Sequence, residues 1–112
     1  MKNEFIYHVI TKEEWERVAD SQFYAPESLN KEGFIHFSFM EQIPGVIDRF
    51  YRDQKSLIVL KVNINKIKSR LVFETVADIG IFPHLYGTLN IDSVVGVLPI
   101  CIDDNNKIFW TE

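Results

Sequence analysis

Cysteine, basic residues and long apolar runs are what this 112-residue chain has least of. Cys101 is the single cysteine, so no internal disulfide can form. Set inside an apolar stretch, it reads as a small core residue of a protein kept in a reducing compartment. The longest nearly unbroken apolar run, Val94–Ile102, has nine residues and is interrupted by Gly96 and Pro99. A membrane-spanning helix needs about 20, so none is expected. The opening residues, Met1 to Phe5, include an acid at Glu4 and no apolar signal core, which points to a cytoplasmic protein. Lysine plus arginine is 12 against 16 acids, a formal charge of −4. That balance excludes the broad positive field required by duplex DNA or an anionic membrane. Several motifs are also missing: GxGxxG, GxxxxGKS/T, HExxH, GxSxG and paired Cys-x-x-Cys. The closest glycines, Gly80 and Gly87, are seven apart and make no phosphate loop.

What is present is evenly punctuated, without repeats or linkers, and 46% hydrophobic, which predicts one domain spanning residues 1–112. Phe5–Ile10 is aromatic and β-branched and predicts a buried strand. Thr11 to Glu14 matches a capping box, followed by Trp15, Val18 and Ala19 as one core-facing stripe of a short helix. Residues 21–32 read as a polar connection with one helical turn at Pro26–Asn30. Gly33 then opens a second strand, Phe34–Ser38.

Ile43, Val46, Ile47, Phe50 and Tyr51 recur at helical spacing, and the stripe through Ile43, Val46 and Phe50 reads as core. Ser38 is the candidate cap for this helix, with Glu41 at N3, while Pro44 moves its regular part to near Ile43. Leu57–Ile64 is the clearest strand. Leu71–Glu74, Val94–Ile102 and Ile108–Trp110 are others, the last after a turn at Asp103–Asn106. Helices in the first half and strands in the second predict an α+β fold, two main helices packed on mostly antiparallel sheets.

Three histidines stand out, each in a strand-like aromatic setting. Alternation puts His8 with Ile6 and Ile10, His36 with Phe34 and Ser38, and His84 with Tyr86. Three segments thus aim an imidazole at a common cleft, each with a hydroxyl nearby in Thr11, Ser38 or Tyr86. Such groups suit the ribose, carboxamide and phosphates of a nucleotide, and Phe34, Tyr51 and Tyr86 suit its rings. The plainer reading of each histidine is a core residue bonded to a carbonyl. Between Asp53 and Glu74 there is no acid but five cations: Lys55, Lys61, Lys66, Lys68 and Arg70. They read either as a phosphate landing strip, which Arg49, Arg52 and Lys107 would extend, or as lysines guarding strand edges.

The segments Tyr7-His8-Val9-Ile10-Thr11, Pro26-Glu27-Ser28-Leu29, Gly33-Phe34-Ile35-His36-Phe37-Ser38, Gly45 through Tyr51, and Phe82-Pro83-His84-Leu85-Tyr86-Gly87 together resemble the bacterial DUF952 family, a domain of unknown function. That family is similar in fold to the ADP-ribosyltransferases and RNA 2′-phosphotransferases. The resemblance implies split antiparallel sheets with an NAD cleft between them. It also implies roles: His8 and Thr11 holding a ribose and the carboxamide, His36 and Ser38 forming the floor, and His84 with Tyr86 standing where a transferase glutamate usually lies. Glu74 is the alternative acid. Tyr51 joins the ligand-binding set.

Two classes of function follow from the resemblance. One is an NAD-dependent enzyme that transfers ADP-ribose, or removes an RNA 2′-phosphate, with an RNA end or a protein as acceptor. The other is a binding module that keeps the cleft without the reaction. A zinc site built from His8, His36 and His84 is a third reading, although the family implies no metal. Strand edges and the aromatic pair Phe109 and Trp110 are compatible with self-association.

Overall fold

Runs of aliphatic and β-branched residues build the main sheet, because such side chains pack well on a pleated surface. The computed structural model describes residues 4–51, 56–102 and 108–110, with side chains within 4–51 and 56–100. In chain order the elements are β1 Phe5–Thr11, α1 Lys12–Val18, β2 Phe23–Tyr24, α2 Glu27–Glu32, β3 Ile35–His36 and α3 Ile43–Phe50. They continue with β4 Leu57–Asn63, β5 Arg70–Val76, β6 Gly80–Tyr86, β7 Leu89–Asn90, β8 Val94–Ile102 and β9 Ile108–Trp110. The fold is α+β and its sheets are antiparallel, in the orders β1-β4-β8-β9, β3-β6-β5 and β2-β7.

Both faces of β1 and β4 are buried, which is why these two strands are apolar almost throughout rather than alternating. On one face Ile6, Ile10, Ile58, Leu60 and Val62 meet Ile35, Phe37 and Leu85 of the second sheet region, with Trp15 and Val18 of α1 packed alongside. On the other, Tyr7, Val9, Leu57, Val59, Leu98 and Ile100 pack against Ile43 and Ile47 of α3. Every buried side-chain nitrogen or oxygen among the described residues has a hydrogen-bond partner. Among the described residues no helix is long and apolar enough to cross a membrane.

The short connection of residues 21–32 folds further than one turn. Pro26 precedes a six-residue α2, so the described residues form three α-helices, and Gly33 ends α2 in the left-handed region at φ 88°. The second strand is shorter than Phe34–Ser38: only Ile35–His36 pair with β6, while Ser38 crosses over to bridge Tyr7 of β1. Ser38 is not a helix cap. Residues 40–42 form a 3-10 turn one residue later, and the Phe39 amide is satisfied by Gln42 Oε1 at 2.9 Å.

Phe50 is not core. At 68% exposure it lies off the buried line set by Ile43 and Ile47. Lys61 is not an edge lysine either: β4 is paired on both sides, and its ammonium sits 4.3 Å from the Phe5 ring centroid. β5 runs longer than Leu71–Glu74, ending at Val76. The turn at Asp103–Asn106, the surroundings of Cys101, Phe109 and Trp110, and the residues Arg52, Lys55 and Lys107 lie outside what the structure describes.

Candidate functional site

β1 and β3 are edge strands of different sheets, and they touch at one point. Tyr7 and Ser38 exchange two backbone hydrogen bonds, N–H to O, of 2.8 and 2.7 Å. Beyond that bridge the strands part, leaving the His36 carbonyl without a ladder partner. His8 fills the gap. Its Nδ1 lies 2.6 Å from that oxygen, and because a carbonyl only accepts, Nδ1 carries the proton. Nε2 then accepts from the Tyr24 hydroxyl at 3.2 Å. Burial holds the ring neutral, with its pKa pushed down to about 4. The same burial raises the pKa of Tyr24 and of Tyr51.

The other two histidines are cross-strand neighbours, His36 of β3 facing His84 of β6, with ring centroids 5.5 Å apart. Each has its own carboxylate. His36 Nε2 lies 2.7 Å from Glu32 Oε1, and His84 Nδ1 lies 2.7 Å from Glu74 Oε1. Glu74 also accepts from the Tyr86 hydroxyl at 2.5 Å. That bond first, and the His84 bond second, hold the Glu74 carboxyl below its ordinary value, while the same carboxylate raises the Tyr86 phenol. The β5–β6 register explains the cluster: Arg70, Val72 and Glu74 stand opposite Tyr86, His84 and Phe82 on one face. Phe34 stacks on His84 with centroids 4.1 Å apart.

The three histidines, with Tyr24, Glu32 and Phe34, line a cleft of about 710 Å³ between the parting strands, walled by α2, the end of α3 and the β5–β6 hairpin. His8, Thr11, His36, Ser38, Tyr51 and His84 all reach its surface. Thr11 also accepts from the Glu14 amide at 3.1 Å as the cap of α1, and the Tyr51 hydroxyl donates to the Val9 carbonyl at 3.4 Å. Tyr86 stands outside the lining, engaged with Glu74.

Two of the cleft's carboxylates are ion-paired, Glu14 with Arg17 and Glu27 with Lys31, and Glu32 accepts a hydrogen bond from His36. Arg49 is the cation of the lining that forms no ion pair among the described residues. Its guanidinium lies over Gly45, where a Cβ would come within 3.3 Å of it. Among the described residues no three histidine, cysteine, aspartate or glutamate side chains group as metal ligands, and both nitrogens of His8 are already used. A three-histidine zinc site would require His8 to give up one of these two bonds.

The site is thus only partly the one the sequence outlines. Glu32, Arg49 and the exposed Phe50 also line the cleft. Glu32 lies four residues before His36, but across a helix end and a left-handed glycine, where that spacing carries no signal. Phe50 is hidden by its helical spacing, which reads as core.

The architecture defines an α+β protein whose two larger sheets part around a histidine-lined cleft. Residues 9–97 match the family described as Protein of unknown function (DUF952), and the chain belongs to that family. The crystal structure of protein CC0527 from Caulobacter crescentus is similar, with a TM-score of 0.82 at 24% identity over 94% of this chain and 93% of that one. The solution NMR structure of the same protein gives 0.77 at 25% identity, over 92% and 90%. No curated protein matches.

Proposed function

We propose that the cleft between β1 and β3 is a nucleotide site whose ligand is NAD or a close relative, in keeping with the resemblance to the ADP-ribosyltransferases. One observation carries the reading. Two edge strands joined at a single bridge open around His8, Thr11, His36, Ser38, Tyr51 and His84, with Arg49, which has no ion pair among the described residues, on the wall. Thr11 and Ser38 offer hydroxyls to a ribose, Arg49 offers its planar fork to a phosphate, and Phe50 and Tyr51 offer rings to a base. His8 supports the floor as a neutral, doubly bonded ring. The fold on this reading is the split-sheet transferase architecture, and a cytoplasmic setting supplies the ligand.

ADP-ribose transfer, to an RNA end or a protein, is the enzymatic form of the proposal. A second reading, binding without turnover, is favoured by Glu74. This carboxylate stands behind His84 rather than in the cleft lining, away from where an oxocarbenium ion would develop.

The imidazole proton resonances of the three histidines, followed by NMR during an NAD titration, test both readings. The expected outcome is a joint shift of His36 and His84, with free nicotinamide appearing only under the enzymatic form. His36→Ala is expected to abolish the shift of His84 while leaving a folded spectrum, because the His36 side chain is half exposed. A titration that moves none of the three rings would sink the nucleotide site.

A further inference from the structure

His36 and His84 repeat one arrangement. Each ring gives one nitrogen to a carboxylate at 2.7 Å, and the carboxylate, which only accepts, fixes that nitrogen as the protonated one. The proton-exchanging positions are then His36 Nδ1 and His84 Nε2, neither of which is hydrogen-bonded among the described residues. Their rings are cross-strand neighbours on one cleft wall. Histidine is the side chain suited to proton exchange near neutral pH, and two of them side by side can serve as base and acid in one step. The third requirement is a group for an anion, and Arg49 lines the same cleft.

We propose that this twofold imidazole–carboxylate pair hydrolyses a small phosphodiester, a nucleoside 2′,3′-cyclic phosphate, without a metal. The activity goes beyond the NAD reading and needs neither NAD nor nicotinamide. His36, about half exposed, is the ring a water molecule reaches. Its neutral Nδ1 takes a proton from water as the water oxygen bonds to phosphorus. The phosphorus–O2′ bond breaks, and protonated His84 Nε2 gives its proton to the departing O2′. Cyclic diester plus water becomes a 3′-monoester, and the two rings regain their starting states by proton exchange with solvent. Arg49 receives the phosphate oxygens. Glu32 and Glu74 are positioning residues: each holds its imidazole in the required tautomer, and Tyr86 in turn holds Glu74.

The test is to incubate the full chain with adenosine 2′,3′-cyclic phosphate in EDTA and follow the monoester by phosphorus NMR across pH 5 to 9, a range set by imidazole titration. The expected result is monoester formation with a bell-shaped pH profile. His36→Ala and His84→Ala each lower the rate by about a hundredfold or more. Glu74→Gln and Glu32→Gln displace one arm of the bell each, which a merely structural role would not do. His36→Ala decides the matter if His84→Ala fails to fold, because His36 is the exposed partner. Turnover no faster than buffer overturns the proposal, as does loss of turnover in EDTA or an undiminished rate in His36→Ala. An NAD titration of the same sample separates the two claims: ring shifts with NAD but no monoester overturn this inference and leave the binding proposal standing.

Discussion

His8 shows how a residue that looks chemical is used to hold the fold. It is the plug at the point where two strands part, and its burial makes it a pH-dependent one. The sign follows from proton binding: between pH 6.5 and about 4 the unfolded chain takes up a proton at His8 that the folded chain refuses. Stability therefore falls as the pH drops through that window, by roughly 3 kcal/mol at its lower end. Urea unfolding at a series of pH values measures this slope. His8→Gln is expected to be less stable at pH 7 yet to show a shallower slope, and equal slopes in the two proteins would refute the assignment. Glu74 acts in the same direction at lower pH, since a depressed carboxyl contributes stability that is lost once it protonates. The Thr11 hydroxyl carries a similar division of labour. As the cap of α1, its removal in Thr11→Ala is expected to cost about 1 kcal/mol in urea unfolding, independently of any ligand.

At the scale of elements, legibility tracks how local the cause is. β4 is readable because burial on both faces leaves an apolar run that nothing else explains, and Val94–Ile102 forms β8 over the stretch its composition marks although Val95 and Val97 are exposed. α3 begins where Pro44 dictates. β3 is not readable, since its length is set by where β6 and β1 compete for its backbone. Glu74 is the sharpest case. Its meeting with His84 and Tyr86 depends on the register of the β5–β6 hairpin, fixed by a three-residue turn with Asp78 at φ 67° and by Gly80, the first residue of β6, at φ 133°. Nothing in the alternation of either strand reports that register.

Phe50 fails for another reason: helical spacing names a face, and the buried part of this face stops at Ile47. Phe50→Ser is accordingly expected to shift the urea midpoint by the equivalent of no more than about 0.5 kcal/mol. Under the nucleotide reading it also weakens NAD binding, and a large loss of stability would return Phe50 to the core.

At the scale of the whole molecule, two sheet systems share a core through Ile35, Phe37 and Leu85, yet their edges are stitched by backbone at Tyr7 and Ser38. This geometry resembles a pair of tongs riveted near one end. The two amides of the rivet protect each other, so any fluctuation that spreads the jaws far enough to expose one must expose both. Native-state hydrogen exchange should therefore give the Tyr7 and Ser38 amides matching opening free energies. A ligand gripped between the jaws should slow the two by the same factor, although Ser38 lines the cleft and Tyr7 does not. Unequal protection would mean that the sheets peel apart strand by strand rather than swing as units.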